Sequence, residues 1–209
     1  MGYFFSQAGM IVNGTGIDTV NDAAPGLTVA SFTGQNAFYG SLGGAWALDD
    51  AKALALSSLT ATLTRCYGGV YLYVQTKAAS TAAPARGVPC YWDTSALGGA
   101  INYVVTPDAT ATNVLACAGV YLGAPTKGNY CYIQALGIGP TLYKTSPTDT
   151  TIGDIVFLNT TSENFDANLP GSATAAQQAY KVGNAYTIPV SAVVGLTFLQ
   201  EGGIIVPNL

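Results

Sequence analysis

Histidine is absent from this chain, and charge is scarce: 7 Lys and Arg and 11 Asp and Glu among 209 residues, 9% in all. An ordinary globular domain carries about 25% charged residues. Without histidine there is no Ser-His-Asp or Cys-His arrangement, no two-histidine metal site and no imidazole general base. Carboxylate, lysine and tyrosine chemistry remain. The surface must be built from Thr, Ser, Asn, Gln, Gly, Ala and Tyr, and such a surface associates readily where apolar patches meet a partner. The first expectation is a structural or binding protein, not an enzyme.

Basic clusters are missing as well. The nearest basic pair, Lys77 and Arg86, stands nine residues apart, and the net charge is -4. Nucleic-acid binding, which needs a cationic footprint on phosphates, is disfavoured. Long hydrophobic runs are missing too. Mean hydropathy is +0.33, yet stretches such as Tyr186 to Leu199 are broken by Thr, Pro and Gly, short of the roughly 20 apolar residues a membrane helix needs. Met1 to Val12 has neither a positive start nor a continuous apolar stretch, so no secretory signal and no membrane partner are expected.

Several chemical motifs fail on spacing. Cys66, Cys90, Cys117 and Cys131 show no CxxC pair, so a zinc site would have to gather four thiolates from distant segments. Each cysteine lies in an apolar or aromatic run and reads as a reduced core residue, with a disulfide the lesser alternative. Gly43-Gly44 and Gly98-Gly99 belong to no phosphate-binding loop. Asp49 and Asp50 are neighbours and do not form a dyad. Asp93, Asp154, Glu163, Asp166 and Glu201 offer carboxylates for glycoside hydrolysis, but no spacing selects a pair. The stretch Asn159 to Asn168 is rich in oxygen ligands and lacks the alternation of a calcium loop, so it reads as a polar surface loop. No metal or other cofactor is expected.

What the chain has in quantity is hydrophobic residues (49%), 25 glycines and 13 tyrosines, ample for a real core. Residues 1–60 alternate Gly turns with short apolar pieces and read as an arm or lead-in. Within them Trp46 to Leu59 reads as a helix, or equally as a strand and a turn. From residue 67 onward short β-branched and aromatic runs are bounded by Gly, Pro, Asn and Asp, the signature of an all-β domain. Strands are expected near Val70–Gln75, Val88–Trp92, Ile101–Thr106, Val114–Leu122, Tyr130–Leu136, Thr141–Lys144, Asp154–Leu158, Tyr186–Pro189, Val193–Gln200 and Gly203–Val206. A short helix is expected over Ala173 to Val182, capped by Ser172 and Gly183. The fold class is therefore mainly β, a β-sandwich or jelly-roll-like domain over 61–209 with an N-terminal arm and one or two short helices.

An internal echo links Tyr71-Leu72-Tyr73-Val74-Gln75 with Tyr130-Cys131-Tyr132-Ile133-Gln134. Comparable positions in one sheet would explain it, and so would chance reuse of strand-forming residues. Tyr3, Phe4, Phe5, Tyr71, Tyr73 and Trp92 are the candidate contact residues, since aromatic rings supply large area with a polar tip. Packing between sheets is the alternative for each.

The segments Tyr71 to Gln75, Ala118-Gly119-Val120-Tyr121-Leu122-Gly123-Ala124 and Gly128-Asn129-Tyr130-Cys131-Tyr132-Ile133-Gln134-Ala135-Leu136-Gly137 together resemble a pattern of tailed-bacteriophage capsid decoration (cement) proteins. The resemblance covers residues 67 to 145. It implies a β-sandwich or jelly-roll on the outer capsid surface of the virion, made in the host cytoplasm and bridging subunits of the major capsid protein lattice. It further implies a homo-dimer or trimer with no active site, whose Gly-rich first segment orders on docking. A virion fibre or receptor- or glycan-binding module is the alternative, with Trp92 beside Asp93 as its cheapest sign. A polysaccharide-degrading enzyme is a distant third.

Overall fold

The structure is a computed structural model, and it describes residues 45–48, 67–93, 95, 103–109, 114–144, 151–159, 164–175, 178 and 180–200. Ten strands run in chain order: β1 (Ala45–Leu48), β2 (Gly69–Thr76), β3 (Pro89–Asp93), β4 (Val104–Thr106), β5 (Val114–Tyr121), β6 (Tyr130–Leu142), β7 (Ile155–Leu158), β8 (Phe165–Asn168), β9 (Lys181–Ala185) and β10 (Val194–Leu199). Among the described residues no helix is long and apolar enough to cross a membrane.

The mainly β class holds. The strands form one continuous order, β1-β2-β4-β3-β5-β6-β10-β9-β7-β8, and a further pairing of β2 with β6 closes its first part on itself. Barrel-like closure thus takes the place of two separate facing sheets. Strands β2, β4, β3, β5 and β6 make a first ring, in which β2–β4 is parallel and every other pairing antiparallel. β6 is 13 residues long and serves twice. Its first half pairs with β2 and β5, and Gly137 to Leu142 pair with β10. At the crossover Gly137 takes φ 93°, and a Cβ there would run into the carbonyl oxygen of Gly68, so the position needs glycine.

From that crossover the first ring's connectivity is repeated. β6, β10, β9, β7 and β8 follow in the same order with antiparallel neighbours. Tyr143, directly after β6, makes a parallel bridge to Phe165 of β8 that closes the second ring. The equivalence extends to single residues. In ring one the Gly87 amide donates to Tyr121 O (2.9 Å) and the Tyr121 amide to Val88 O (3.1 Å); in ring two Gly153 donates to Ala185 O (2.8 Å) and Ala185 to Asp154 O (2.8 Å). Gly87 and Gly153 both have positive φ, 81° and 92°. The register slips after Cys90 in β3 and after Val156 in β7, opposite Gly119 and Gly183 respectively. Lys77 and Lys144, each just beyond the strand that opens its ring, donate their amides to Val105 O and Phe165 O.

The core follows from this closure. A five-stranded ring leaves room only for side chains that interlock tightly, and ring one is filled by Leu72, Val74, Trp92, Val105, Val120 and Ile133 with Cys90, Cys117 and Cys131 as small hydrophobes between them. Burying each large aliphatic side chain contributes roughly 1.5–3 kcal/mol. Strand β2 is covered on both faces: Tyr71, Leu72, Tyr73 and Val74 are all buried, so its alternation separates two apolar environments, not core from solvent.

Several expectations are corrected. Trp46 to Leu48 form β1, with Trp46 opposite Tyr71, so the strand reading holds there; residues 49–59 lie outside the described residues. Within the helix expected over Ala173 to Val182, Ala175 and Gln178 are helical and the Gln178 amide donates to Thr174 O, while residues 176, 177 and 179 lie outside the described residues. Val182 and Gly183 instead enter β9, because pairing with β7 and burial of Val182 outweigh helical propensity. The two strands expected at Tyr130–Leu136 and Thr141–Lys144 are the single β6. Tyr186 to Pro189 form a loop, and the expected strand at Gly203–Val206 lies outside the described residues. The last four residues of the expected polar loop, Phe165–Asn168, are the buried strand β8. The two echoing pentapeptides are direct neighbours, Tyr71 to Gln75 pairing with Gln134 to Tyr130.

Candidate functional site

Three of the six candidate contact residues lie in the interior. Tyr71, Trp92 and Tyr73 are 0%, 0% and 1% exposed, which removes them from any docking surface. Trp92 packs inside ring one, while Tyr71 and Tyr73, alternating with Leu72 and Val74, pack on the other, covered face of β2. Tyr73 packs on Tyr132 and Tyr130, the Tyr71 hydroxyl donates to Tyr67 O, and Trp92 meets Tyr103 edge-on at 6.2 Å. With Trp92 and Asp93 buried together, the sign proposed for a glycan-binding face is absent from the surface. Tyr3, Phe4 and Phe5 lie outside the described residues.

The thiols are structural. Cys90, Cys117 and Cys131 are buried thiols. Burial pushes the Cys90 thiol well above 9.0, and the neighbouring Cys117 and Cys131 add to this. Cys117 is pushed up to about 12, again by burial. Both stay protonated and unreactive at neutral pH. Beside them the Tyr121 hydroxyl is fully buried without a hydrogen-bond partner, and burial raises its pKa well above 10.0. Among the described residues no three His, Cys, Asp or Glu side chains form a metal-binding group. Cys66 lies outside the described residues.

The described carboxylates hold backbone and lysines in place. Asp93 pairs with Lys77 at 3.0 Å and accepts the Ser95 amide at 2.9 Å. Burial by itself would raise its pKa; the Ser95 hydrogen bonds and the Lys77 ammonium outweigh burial and hold it below 3.8. Asp166 pairs with Lys144. Asp108 accepts the amides of Thr81 and Ala82, and Asp154 that of Thr151. Lys127 reaches across to Ser80 O and Thr81 O. Glu163 and Glu201 lie outside the described residues.

What remains as a site is an apolar surface on ring two. The loop between β9 and β10 and the outer face of β10 expose Tyr186, Ile188, Val190, Val193 and Phe198, each about half accessible to solvent. Along β10, Val194, Leu196 and Phe198 fall on one face while Thr197 and Leu199 turn inward. Val194 and Leu196 continue into a groove of about 360 Å³ that Ile188, Val190, Val193, Tyr67 and Arg86 complete. The loop is held rigidly. Thr187 Oγ1 accepts the Leu196 amide at 2.8 Å, the Val193 amide donates to Val190 O, and Ala192 sits at φ 54°. Sequence reasoning missed this surface because Tyr186-Thr187-Ile188-Pro189 followed by Val193 to Gln200 reads as two strands. The available signal was Pro189 between apolar residues, which cannot donate to a ladder. An exposed, mainly apolar patch of this kind, with Arg86 at the edge of its groove, has the character of a contact surface. No protein-family model matches the chain, and no curated protein matches it in sequence.

Proposed function

We propose that this chain is a structural virion protein that decorates the outer surface of a capsid and stabilises the head shell by non-covalent contacts with the major capsid protein. The observation that carries the reading is a β scaffold whose described carboxylates are engaged in structural contacts, leaving contact with the shell to uncharged side chains. Low charge supports it: with 9% charged residues the contact depends on shape and apolar area, which suits many weak copies on a repeating lattice. In this reading the two linked rings stand where a sandwich or jelly-roll body was expected. Residues 1–60 are the arm that docks on the shell, and the chain self-associates as a dimer or trimer.

Quantitative mass spectrometry of purified particles, with the major coat protein as the internal standard, tests this. A near-stoichiometric ratio supports decoration of the lattice. A few copies per particle point to a fibre or receptor-binding module instead, and none at all overturns the virion reading.

A further inference from the structure

The two rings provide an internal control for which surfaces are meant to be covered. The β5–β6 loop of ring one and the β9–β10 loop of ring two have the same backbone. Each carries a proline, Pro125 and Pro189. Each is closed by one amide-to-carbonyl bond, Asn129 to Thr126 and Val193 to Val190 (3.0 and 3.1 Å), and each has one positive φ, at Gly128 and Ala192. Their side chains differ. The equivalent positions exposed in both loops are Ala124 and Thr126 in ring one and Ile188 and Val190 in ring two. With the backbone held constant, the apolar choice serves no need of the loop itself.

The outer faces differ in the same sense. Leu122 and Gln134 of ring one are 2% and 0% exposed; their equivalents in ring two, Tyr186 and Phe198, are 52% and 47% exposed. At Gln134 ring one's face is closed by β6 where that strand passes into ring two. The Gln134 side-chain amide donates to Leu136 O and Ile138 O, and Gly139 lies against both Gln134 and Leu199. The chain therefore already contains one example of what packs on this face, a second ring of the same build.

We propose that the open face of ring two, centred on Ile188, Val190 and Phe198, is a self-association surface whose occupant is a second copy of this chain, continuing between molecules the ring-on-ring packing found within one. The exposed residues at its centre are uncharged, so copies meet without like-charge opposition there. Contact of this head-to-tail kind closes into a small ring of subunits where the rotation permits. The inference deepens the self-association in the proposed function by naming its surface, and it stands on the geometry alone.

Sedimentation velocity of the full chain from about 1 to about 100 µM, on wild type, Val190→Lys, Phe198→Lys and the equivalent ring-one control Thr126→Lys, provides the test. Far-UV circular dichroism confirms that each variant is folded. The expected result is a wild type that assembles beyond the 21.4 kDa monomer, with association weakened about tenfold or more in Val190→Lys and Phe198→Lys and unchanged in Thr126→Lys. A wild type that remains monomeric throughout overturns the proposal, as does association that the two ring-two substitutions leave intact. Particle copy number is read separately. A monomer abundant on particles overturns this inference alone, and an oligomer absent from particles overturns only the capsid reading.

Discussion

Tyr73 and Tyr132 stand directly opposite each other across β2 and β6, with ring centroids 4.9 Å apart and planes tilted by 51°. They are the midpoint of the two echoing pentapeptides, so the first half of one pairs with the second half of the other: Tyr71 with Gln134, and Gln75 with Tyr130. This pairing closes the first ring, and the tyrosine pair sits where closure is made.

Truncating either ring should therefore weaken closure as well as packing. Tyr73→Ala and Tyr132→Ala are each expected to lose about 3–5 kcal/mol of stability, as for other large aromatic truncations. The double variant should lose less than the sum by about 0.5–1.5 kcal/mol, the coupling of an aromatic pair. Urea unfolding of the four proteins measures it, and strict additivity would show that the rings do not interact.

Gly119 and Gly183 sit at the same register slip in the two rings. A Cβ at either would run into a carbonyl oxygen of the neighbouring strand, that of Gln134 or Phe198. Gly119→Ala and Gly183→Ala should each be destabilising by more than about 2 kcal/mol, through forced separation of the strands. Gly153→Ala meets nothing within 4 Å, and its positive φ alone should cost about 1 kcal/mol. Thermal melts of the three variants rank them; equal losses would refute the close-approach explanation.

Asp93 makes stability depend on acid. Its folded pKa is lowered from 3.8, so its stabilisation is fully present above that unfolded value and is lost as pH falls through 3.8 toward the folded pKa. Asp93→Asn should lower stability at pH 7 by about 1.5–3 kcal/mol, the worth of charge-assisted hydrogen bonds. It should also flatten the loss of stability below about pH 4. Urea midpoints from acid to neutral pH in the two proteins check both effects.

Buried protonated thiols react slowly. Cys90, Cys117 and Cys131 should resist iodoacetamide at pH 8 in the folded protein and label fully in denaturant, because attack needs an exposed thiolate. Peptide mass spectrometry of the labelled sites reads each cysteine separately. Rapid labelling of Cys90 or Cys117 under native conditions would contradict the packing of ring one.

Legibility varied with the kind of signal. Strands β2, β3, β5, β7 and β10 were readable because apolar runs end at Gly, Pro or Asn punctuation. β8, Phe165-Asp166-Ala167-Asn168, was not: two of its four residues are polar, and what makes it a strand is pairing with β7 and the Lys144 ion pair. The contact surface was misplaced for a related reason. Tyr71, Tyr73 and Trp92 are as suited to a core as to an interface, and only closure of the ring around them decides between the two. The duplicated ring left no readable period, because its equivalent positions share just a few residues, Lys77 with Lys144, Gly87 with Gly153, Gly119 with Gly183 and Pro125 with Pro189, at uneven spacing.

By itself the sequence determined the chemistry that histidine would supply and this chain lacks, the mainly β class, and the reduced buried thiols, since these follow from residue type and local pattern. The tertiary structure alone decided which strands close a ring, that the closure occurs twice around the shared β6, and that Ile188, Val190 and Phe198, not Tyr71, Tyr73 or Trp92, face solvent. Each of those depends on pairing between residues far apart in the chain. A strand's own sequence specifies its two faces, while the identity of its neighbours sets which face meets water.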